Sequence, residues 1–230
     1  MDESQAEAPS APTVTATPNG PFHVKGIRRI VWREVVETLG GEPIAWRERG
    51  VVAEADQEYW LCRCGQSANK PFCDNSHRTA GFNAVDAADP GPRSERKKDH
   101  GAGQVTLEDD RGLCVNTGFC GNKITNAWKL AARDDLDTAG ATQLIAMTEH
   151  CPSGAISTRV AAGDLESTRP TEVVLIPDGP LWVTGGVTVE RSDGVQLETR
   201  NRVTLCRCGA SKNKPLCDGS HIETGFKHSP

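Results

Sequence analysis

Nine cysteines in a chain of 230 residues fall into three triplets, and two of the triplets lead to a histidine at the same spacing. Cys62, Cys64 and Cys73 lead to His77, and Cys206, Cys208 and Cys217 lead to His221. Cys114, Cys120 and Cys151 lie between them in a different pattern. An odd number of cysteines cannot pair completely into disulfides. The chain carries no charged-then-apolar secretion signal, so its thiols are expected to stay reduced, and clustered reduced cysteines read as metal ligands. Three sets of soft ligands predict three metal centres. Hydrophobic residues make up 37% of the chain and aromatic residues 5%. So thin an apolar core gains from metal staples.

Charge and hydropathy exclude other classes. The net charge is −5 and no basic helix is present, which argues against a nucleic-acid partner. The short run Arg93 to Lys98 reads as a solvated linker. No apolar stretch reaches the roughly 20 residues of a membrane span. Residues 1–17 are rich in Ala, Pro, Thr and Ser with Asp2, Glu3 and Glu7, and read as a disordered tail on a soluble, cytoplasmic protein.

The chain also repeats itself. Pro18 to Val24 matches Pro177 to Val183, each copy runs on through β-rich sequence to a cysteine motif, and the first copy holds extra residues around Thr38 to Glu48. The motifs are CRCGQSANKPFCDNSH and CRCGASKNKPLCDGSH, each followed by Thr and Gly-Phe. Val187 to Val189, Val195 to Leu197 and Val203 to Leu205 predict strands, with Asp193-Gly194 as a hairpin turn. Ile27 to Val36 fits strand or helix equally. Between the copies, Pro90 to Gly103 reads as a linker and Val105 to Leu107 as a strand followed by a turn at Asp109 to Gly112. Thr138 to His150 reads as an amphipathic helix with Leu144, Ile145 and Met147 on one side, stopped by Pro152. The expected divisions are a tail over 1–17, a first metal unit over 18–90, a linker and central domain over 91–168, and a second metal unit over 169–230.

In Cys217-Asp218-Gly219-Ser220-His221, a helical turn brings residues i and i+4 within about 40° around the axis, so Cys217 and His221 face one site. Asp218 and Ser220 suit the exposed amides there. Gly219 permits a positive φ, and Asn75 in the first copy is the next most tolerant residue. Pro71 and Pro215 restrict the approach to Cys73 and Cys217. On the residues alone, iron–sulfur and structural zinc both remain open, although zinc sites commonly space paired cysteines two to four apart. Arg63, Lys70, Arg207 and Lys214 inside the motifs read as stabilising the charge of a centre, as partner contacts or as solvated charge.

The string C-x-C, Ser, Pro, C-D-G-S-H resembles the signature of the CDGSH, or NEET, iron–sulfur proteins. The second copy matches throughout, including Ser211 and Pro215, and the first departs at Asn75. The resemblance implies a [2Fe–2S] cluster on Cys62, Cys64, Cys73 and His77, and another on Cys206, Cys208, Cys217 and His221. It also implies an α+β, β-rich fold in which two NEET-type β units form an intrachain pseudo-dimer, a monomer with internal pseudo-two-fold symmetry. An imidazole in place of a thiolate raises the reduction potential and invites protonation near neutral pH.

The central region differs from a bacterial ferredoxin run, because Thr117 stands where a middle cysteine is usual. Asp110 to Cys114, Gly118 to Cys120 and Cys151 to Ile156 resemble a divergent single-cluster ferredoxin domain. That resemblance implies a small ferredoxin-like α+β domain with a [3Fe–4S] or [4Fe–4S] cluster on Cys114, Cys120 and Cys151. Asn116 stands where that domain often has His, and His150 is expected to face solvent at the helix end. No nucleophile–base pattern, phosphate loop or HExxH helix points to an enzyme. The function expected first is electron transfer to a redox partner protein. The alternative is cluster storage or transfer to an apo iron–sulfur acceptor, or redox or pH sensing.

Overall fold

The computed structural model describes residues 11–101 and 103–229. The first half contributes β1 (Thr13–Ala16), β2 (Phe22–Lys25), β3 (Arg29–Glu37), β4 (Pro43–Glu54), β5 (Glu58–Leu61) and the single turn α1 (Ser76–Thr79). A central region follows with α2 (Arg93–Arg96), β6 (Lys98–His100), β7 (Thr106–Asp109), α3 (Ala127–Ala131), α4 (Thr138–Glu149), β8 (Ile156–Val160) and β9 (Gly163–Leu165). The second half contributes β10 (Glu172–Leu175), β11 (Leu181–Thr184), β12 (Thr188–Glu190), β13 (Arg202–Leu205) and α5 (Ser220–Glu223).

The two halves exchange strands. β1, β2 and β5 form an antiparallel trio, and β12 from the second half joins its edge parallel to β1, with Val14 opposite Val189. Reciprocally, β10, β11 and β13 form a trio, and β3 from the first half joins it parallel to β10, with Ile30 opposite Val173. Inward residues at alternate positions, among them Val14, Phe22 and Val24 from one sheet and Val173, Leu181 and Leu205 from the other, share a single core. Each such side chain contributes about 1.5–3 kcal/mol by burial. The fold is therefore α+β and β-rich, with two like β units joined as a pseudo-dimer.

β-branched and aromatic residues settle the open reading of Ile27 to Val36 in favour of strand, with β3 beginning at Arg29. Its partner β4 turns the extra residues of the first copy into a long hairpin, with register shifts at Ile30/Val31, Trp32/Arg33 and Val36/Glu37. The hairpin reaches the central region. Trp46 Nε1 donates to the His150 carbonyl at 2.9 Å, and the Trp46 ring packs against Phe119 and Trp182. The central sheet runs β6-β7-β8-β9, antiparallel throughout, with α3 and α4 packed on it around Leu107, Leu130, Leu144 and Ile156. Asp137 caps α4 by accepting from Gly140 N. Leu144 and Met147 are buried and Ile145 is half-buried.

Two expectations are corrected. The tail predicted over 1–17 fails at Thr13–Ala16, which is a strand, because Val14 and Ala16 face the core and β2 and β12 supply its hydrogen-bond partners. Residues 1–10 lie outside the described residues. The run Arg93 to Lys98 is not a solvated linker. Arg93, Lys97 and Arg159 all donate to the buried Glu108, Ser157 Oγ donates to it at 3.2 Å, and Arg96 binds Asp110. A carboxylate placed in the sheet collects the cations of the adjoining segment.

Burial alone would raise the Glu108 carboxyl, but the bonds from Lys97, Arg93 and Arg159 outweigh it and bring it from the usual 4.5 to about 2. A carboxyl depressed in the folded state contributes stability that is complete above the unfolded value and is lost as pH falls through the folded one. Glu108→Gln is expected to cost about 3 kcal/mol near neutral pH. The gap between variant and parent should close as pH falls from 4.5 to about 2, as read by urea midpoints at stepped pH.

Candidate metal centres

β5 and β13 each deliver a C-x-C pair into a loop that folds back on its own strand. Cys62 N donates to the Pro71 carbonyl at 2.7 Å and Cys73 N to the Trp60 carbonyl at 3.0 Å; Cys206 N to Pro215 and Cys217 N to Thr204 repeat the arrangement. Both Lys-Pro bonds, 70–71 and 214–215, are cis. Ser67 Oγ donates to the Phe72 carbonyl and Ser211 Oγ to the Leu216 carbonyl, both at 2.7 Å. Asp74 accepts from Ala68 N, Ser76 N and Ser76 Oγ, and Asp218 accepts from Lys212 N, Ser220 N and Ser220 Oγ. Bonds from the Ser76 hydroxyl and the two amides hold the Asp74 carboxyl well below its ordinary value. Asn75 and Gly219 take φ of 70° and 90°, as the spacing predicts.

The turns then bring the side chains together. Cys62 Sγ and Cys64 Sγ stand 3.8 Å apart, as do Cys206 Sγ and Cys208 Sγ. Cys73 Sγ lies 3.5 Å from His77 Nδ1, and Cys217 Sγ lies 3.4 Å from His221 Nδ1. Two sulfurs bound at about 2.3 Å to one tetrahedral metal stand about 3.8 Å apart, and a sulfur and an imidazole nitrogen about 3.5 Å. Each set could therefore hold two metals, one on the C-x-C pair and one on the Cys–His pair. Among the described residues, no three His, Cys, Asp or Glu side chains converge on one point. Backbone amides of Gln66, Asn75, Ala210 and Gly219 point at the sulfurs of Cys64, Cys73, Cys208 and Cys217, at 3.4–3.5 Å. Such donors stabilise thiolate over thiol. Within each pair one sulfur accepts from the other, lowering Cys62 to about 6 and Cys208 to about 7 while raising Cys64 and Cys206. Burial, then the charge of Arg207, disfavours protonated His221.

The halves meet at the motifs. Gly65 (φ 79°) lies against the Cys208 carbonyl and Gly209 (φ 86°) against the Cys64 carbonyl, where an added Cβ would stand 2.7 Å and 2.6 Å from those oxygens. Arg63 and Arg207 are buried, not solvated and not free for a partner. Arg63 binds Asp86 and the Thr17 carbonyl between the rings of Phe22 and Phe82. Arg207 donates to the Gly179 and Ile176 carbonyls between Trp32 and Phe226. Each arginine also feels the first cysteine of the other half, Arg63 that of Cys206 and Arg207 that of Cys62. Burial nevertheless lowers Arg207 to about 10. Lys70 and Lys214 donate to the carbonyls of Ser67 and Ser211 inside their own loops. Sequence reasoning left this lock undecided. Its available signal was the pairing of C-R-C with Gly-Phe in both copies.

Cys114, Cys120 and Cys151 line one cavity of about 210 Å³, together with Thr117 and Trp128. Cys114 follows a 3-10 turn at Arg111–Leu113, and Cys151 follows the end of α4, its N–H bonded to the Thr148 carbonyl. Burial, then the neighbouring Cys114 and Cys151, raises the Cys120 thiol. Arg111 lies over the Trp128 ring at 4.5 Å. Asn116 points its Oδ1 at Cys114 Sγ, 3.5 Å away. His150 does not simply face solvent: its ring stacks on Phe119 and its Nδ1 donates to the Ala146 carbonyl, and it is not among the residues of the cavity.

Residues 19–78 and 178–222 match the family described as iron-binding zinc finger, CDGSH type. Residues 101–161 match the family described as divergent 4Fe-4S mono-cluster. The chain is a double-CDGSH protein with a ferredoxin-like insert. No curated protein matches it. As the two families imply, the protein binds iron–sulfur clusters, and the donor sets described above suit that chemistry.

The seam between the motifs is testable. Gly65→Ala and Gly209→Ala each add strain at a positive φ and a clash with backbone, and are expected to cost about 2–4 kcal/mol. Gly81→Ala, at φ 62° with open space around it, should cost only about 1 kcal/mol. Thermal unfolding of the three variants makes the comparison.

Proposed function

We propose that this protein is an electron carrier. It would hold two [2Fe–2S] clusters, on Cys62, Cys64, Cys73 and His77 and on Cys206, Cys208, Cys217 and His221, and a [3Fe–4S] or [4Fe–4S] cluster on Cys114, Cys120 and Cys151. When bound, the clusters supply one-electron redox chemistry. The observation that carries the reading is the adjacency of the three donor sets. Gly65 abuts Cys208 across the seam, and position 219 lies 3.9 Å from the Cys114 carbonyl, measured from where a Cβ would stand. The surrounding residues suit carriage: buried Arg63 and Arg207 offset thiolate charge, and the matched loops bond every turn internally. A carrier of this kind needs no catalytic residue, and its partner is a redox protein that docks transiently.

Transfer of a cluster to an apo iron–sulfur acceptor is the second reading. His77 favours it, because that side chain lines an open cavity of about 770 Å³ with Trp60, Arg78 and Phe82. Anaerobic incubation with an apo-ferredoxin separates the two. Reversible reduction with clusters retained supports carriage, whereas colour moving to the acceptor supports transfer.

His77→Cys and His221→Cys should each retain a cluster and lower its potential by on the order of 100 mV, since imidazole ligation raises potentials relative to all-thiolate clusters. The parent potentials should rise as pH falls, because an imidazole ligand can take up a proton where a thiolate ligand does not, and the Cys variants should respond less. Potentiometric titration from pH 6 to 9 measures both effects. A flat parent potential would remove the histidines from the coordination sphere.

A further inference from the structure

The two CDGSH loops share the same internal bonds but differ at four positions, Gln66/Ala210, Ala68/Lys212, Phe72/Leu216 and Asn75/Gly219, of which only the last is a turn residue of positive φ. Backbone conformation does not require the difference, since φ is positive at both and Asn tolerates it. The surroundings do. Asn75 lines the open cavity beside His77. Gly219 lies under the ferredoxin-like insert: an added Cβ would stand 2.7 Å from Asn116 Nδ2. Asn213 Nδ2, in the same loop, donates to the Gly112 carbonyl at 3.3 Å. Asn116 itself takes φ 59° and aims its other amide atom at Cys114 Sγ. One residue of the insert thus touches both a cysteine of the central triplet and the turn that presents His221. His221 is 8% exposed.

We infer that Asn116 is a positioning residue that closes the second Cys-Cys-Cys-His set. The Gly112–Asn116 segment is a cover, held in place through Cys114, and it makes the two matched sites unequal. The first is open at His77. The second is shut, and stays shut while the central triplet is filled, because a ligated Cys114 fixes the backbone two residues from Asn116; the Cys114 Sγ to Asn116 Oδ1 bond itself needs the thiol proton and is given up on ligation. The inference rests on cluster binding but not on electron carriage, and holds equally for a protein that hands clusters on.

The test uses the loaded full chain, kept anaerobic near neutral pH and challenged with a strong iron chelator. Iron release is followed by absorbance. Carbethoxylation of the freed histidines, mapped by peptide mass, assigns each phase to His77 or His221. In the parent, the His221 phase is expected to be about tenfold slower than the His77 phase, within the span of coupling energies between residues in contact. Asn116→Gly keeps the backbone conformation and should bring the His221 phase close to the His77 rate, leaving the His77 phase as an internal control. Gly219→Asn, which copies the first loop, should do the same in the parent and add little in the Asn116→Gly background. Cys151→Ser, which empties the central triplet, should also speed the His221 phase. Equal phases in the parent, or a slow phase untouched by Asn116→Gly, overturns the cover. Additive effects of Asn116→Gly and Gly219→Asn overturn the direct contact. Reversible reduction judges the carrier reading separately, so the two fail independently.

Discussion

Strand exchange positions everything else. β3 lies in the sheet of the second half and β12 in that of the first, so neither trio has a complete sheet without the other. The exchange sets the two C-x-C-Gly loops face to face, where each glycine receives a carbonyl of the opposite motif. A two-chain assembly would pay translational and rotational entropy for such an arrangement. Here one chain supplies both halves, and the seam persists at any dilution.

Charge crosses the same seam. Each motif brings three cysteine sulfurs and a nearby arginine, and each arginine is placed to act on the first cysteine of the other motif. Guanidinium groups withdrawn from water are tolerable only when every face is served. Two aromatic rings with bonds to Gly179, Ile176 and His228 meet that condition for Arg207, whereas Arg63 has two rings, Asp86 and the Thr17 carbonyl but leaves its Nε without a partner among the described residues. The halves are thus bound by electrostatics as well as by their shared apolar core.

Much of this was legible beforehand. Ligand spacing, the helical turn from Cys217 to His221, the positive φ of Gly219 and Asn75, and helix α4 all follow from local rules about side chains a few residues apart. Strands near Val187 to Val189 and Val203 to Leu205 were also readable, whereas Val195 to Leu197 gives only an isolated bridge at Gln196, and β1 was hidden in a stretch whose composition resembles a tail. It forms because β2 and β12 flank it, and β12 lies in the distant half of the chain. The buried roles of Arg63, Arg207, Arg93 and Lys97 were not legible for a related reason. A cation beside a cysteine looks the same in sequence whether water or a ring lies over it. Gly219 shows the limit most clearly, since φ explained it locally and the close approach of Asn116 Nδ2 is visible only in the packed chain.

The β3–β4 hairpin bears on how the insert chooses its place. A pair of like halves offers two symmetry-related faces, and an inserted domain on flexible joints would find both acceptable. Only one half owns a long hairpin, and because β3 has crossed over, that hairpin rises from the other half's sheet. There Trp46 reaches Phe119 and the His150 carbonyl, and Lys123 N donates to Glu42. The extension works as a key that fits one of two otherwise equivalent locks, discouraging the mirror docking by leaving it nothing to grip.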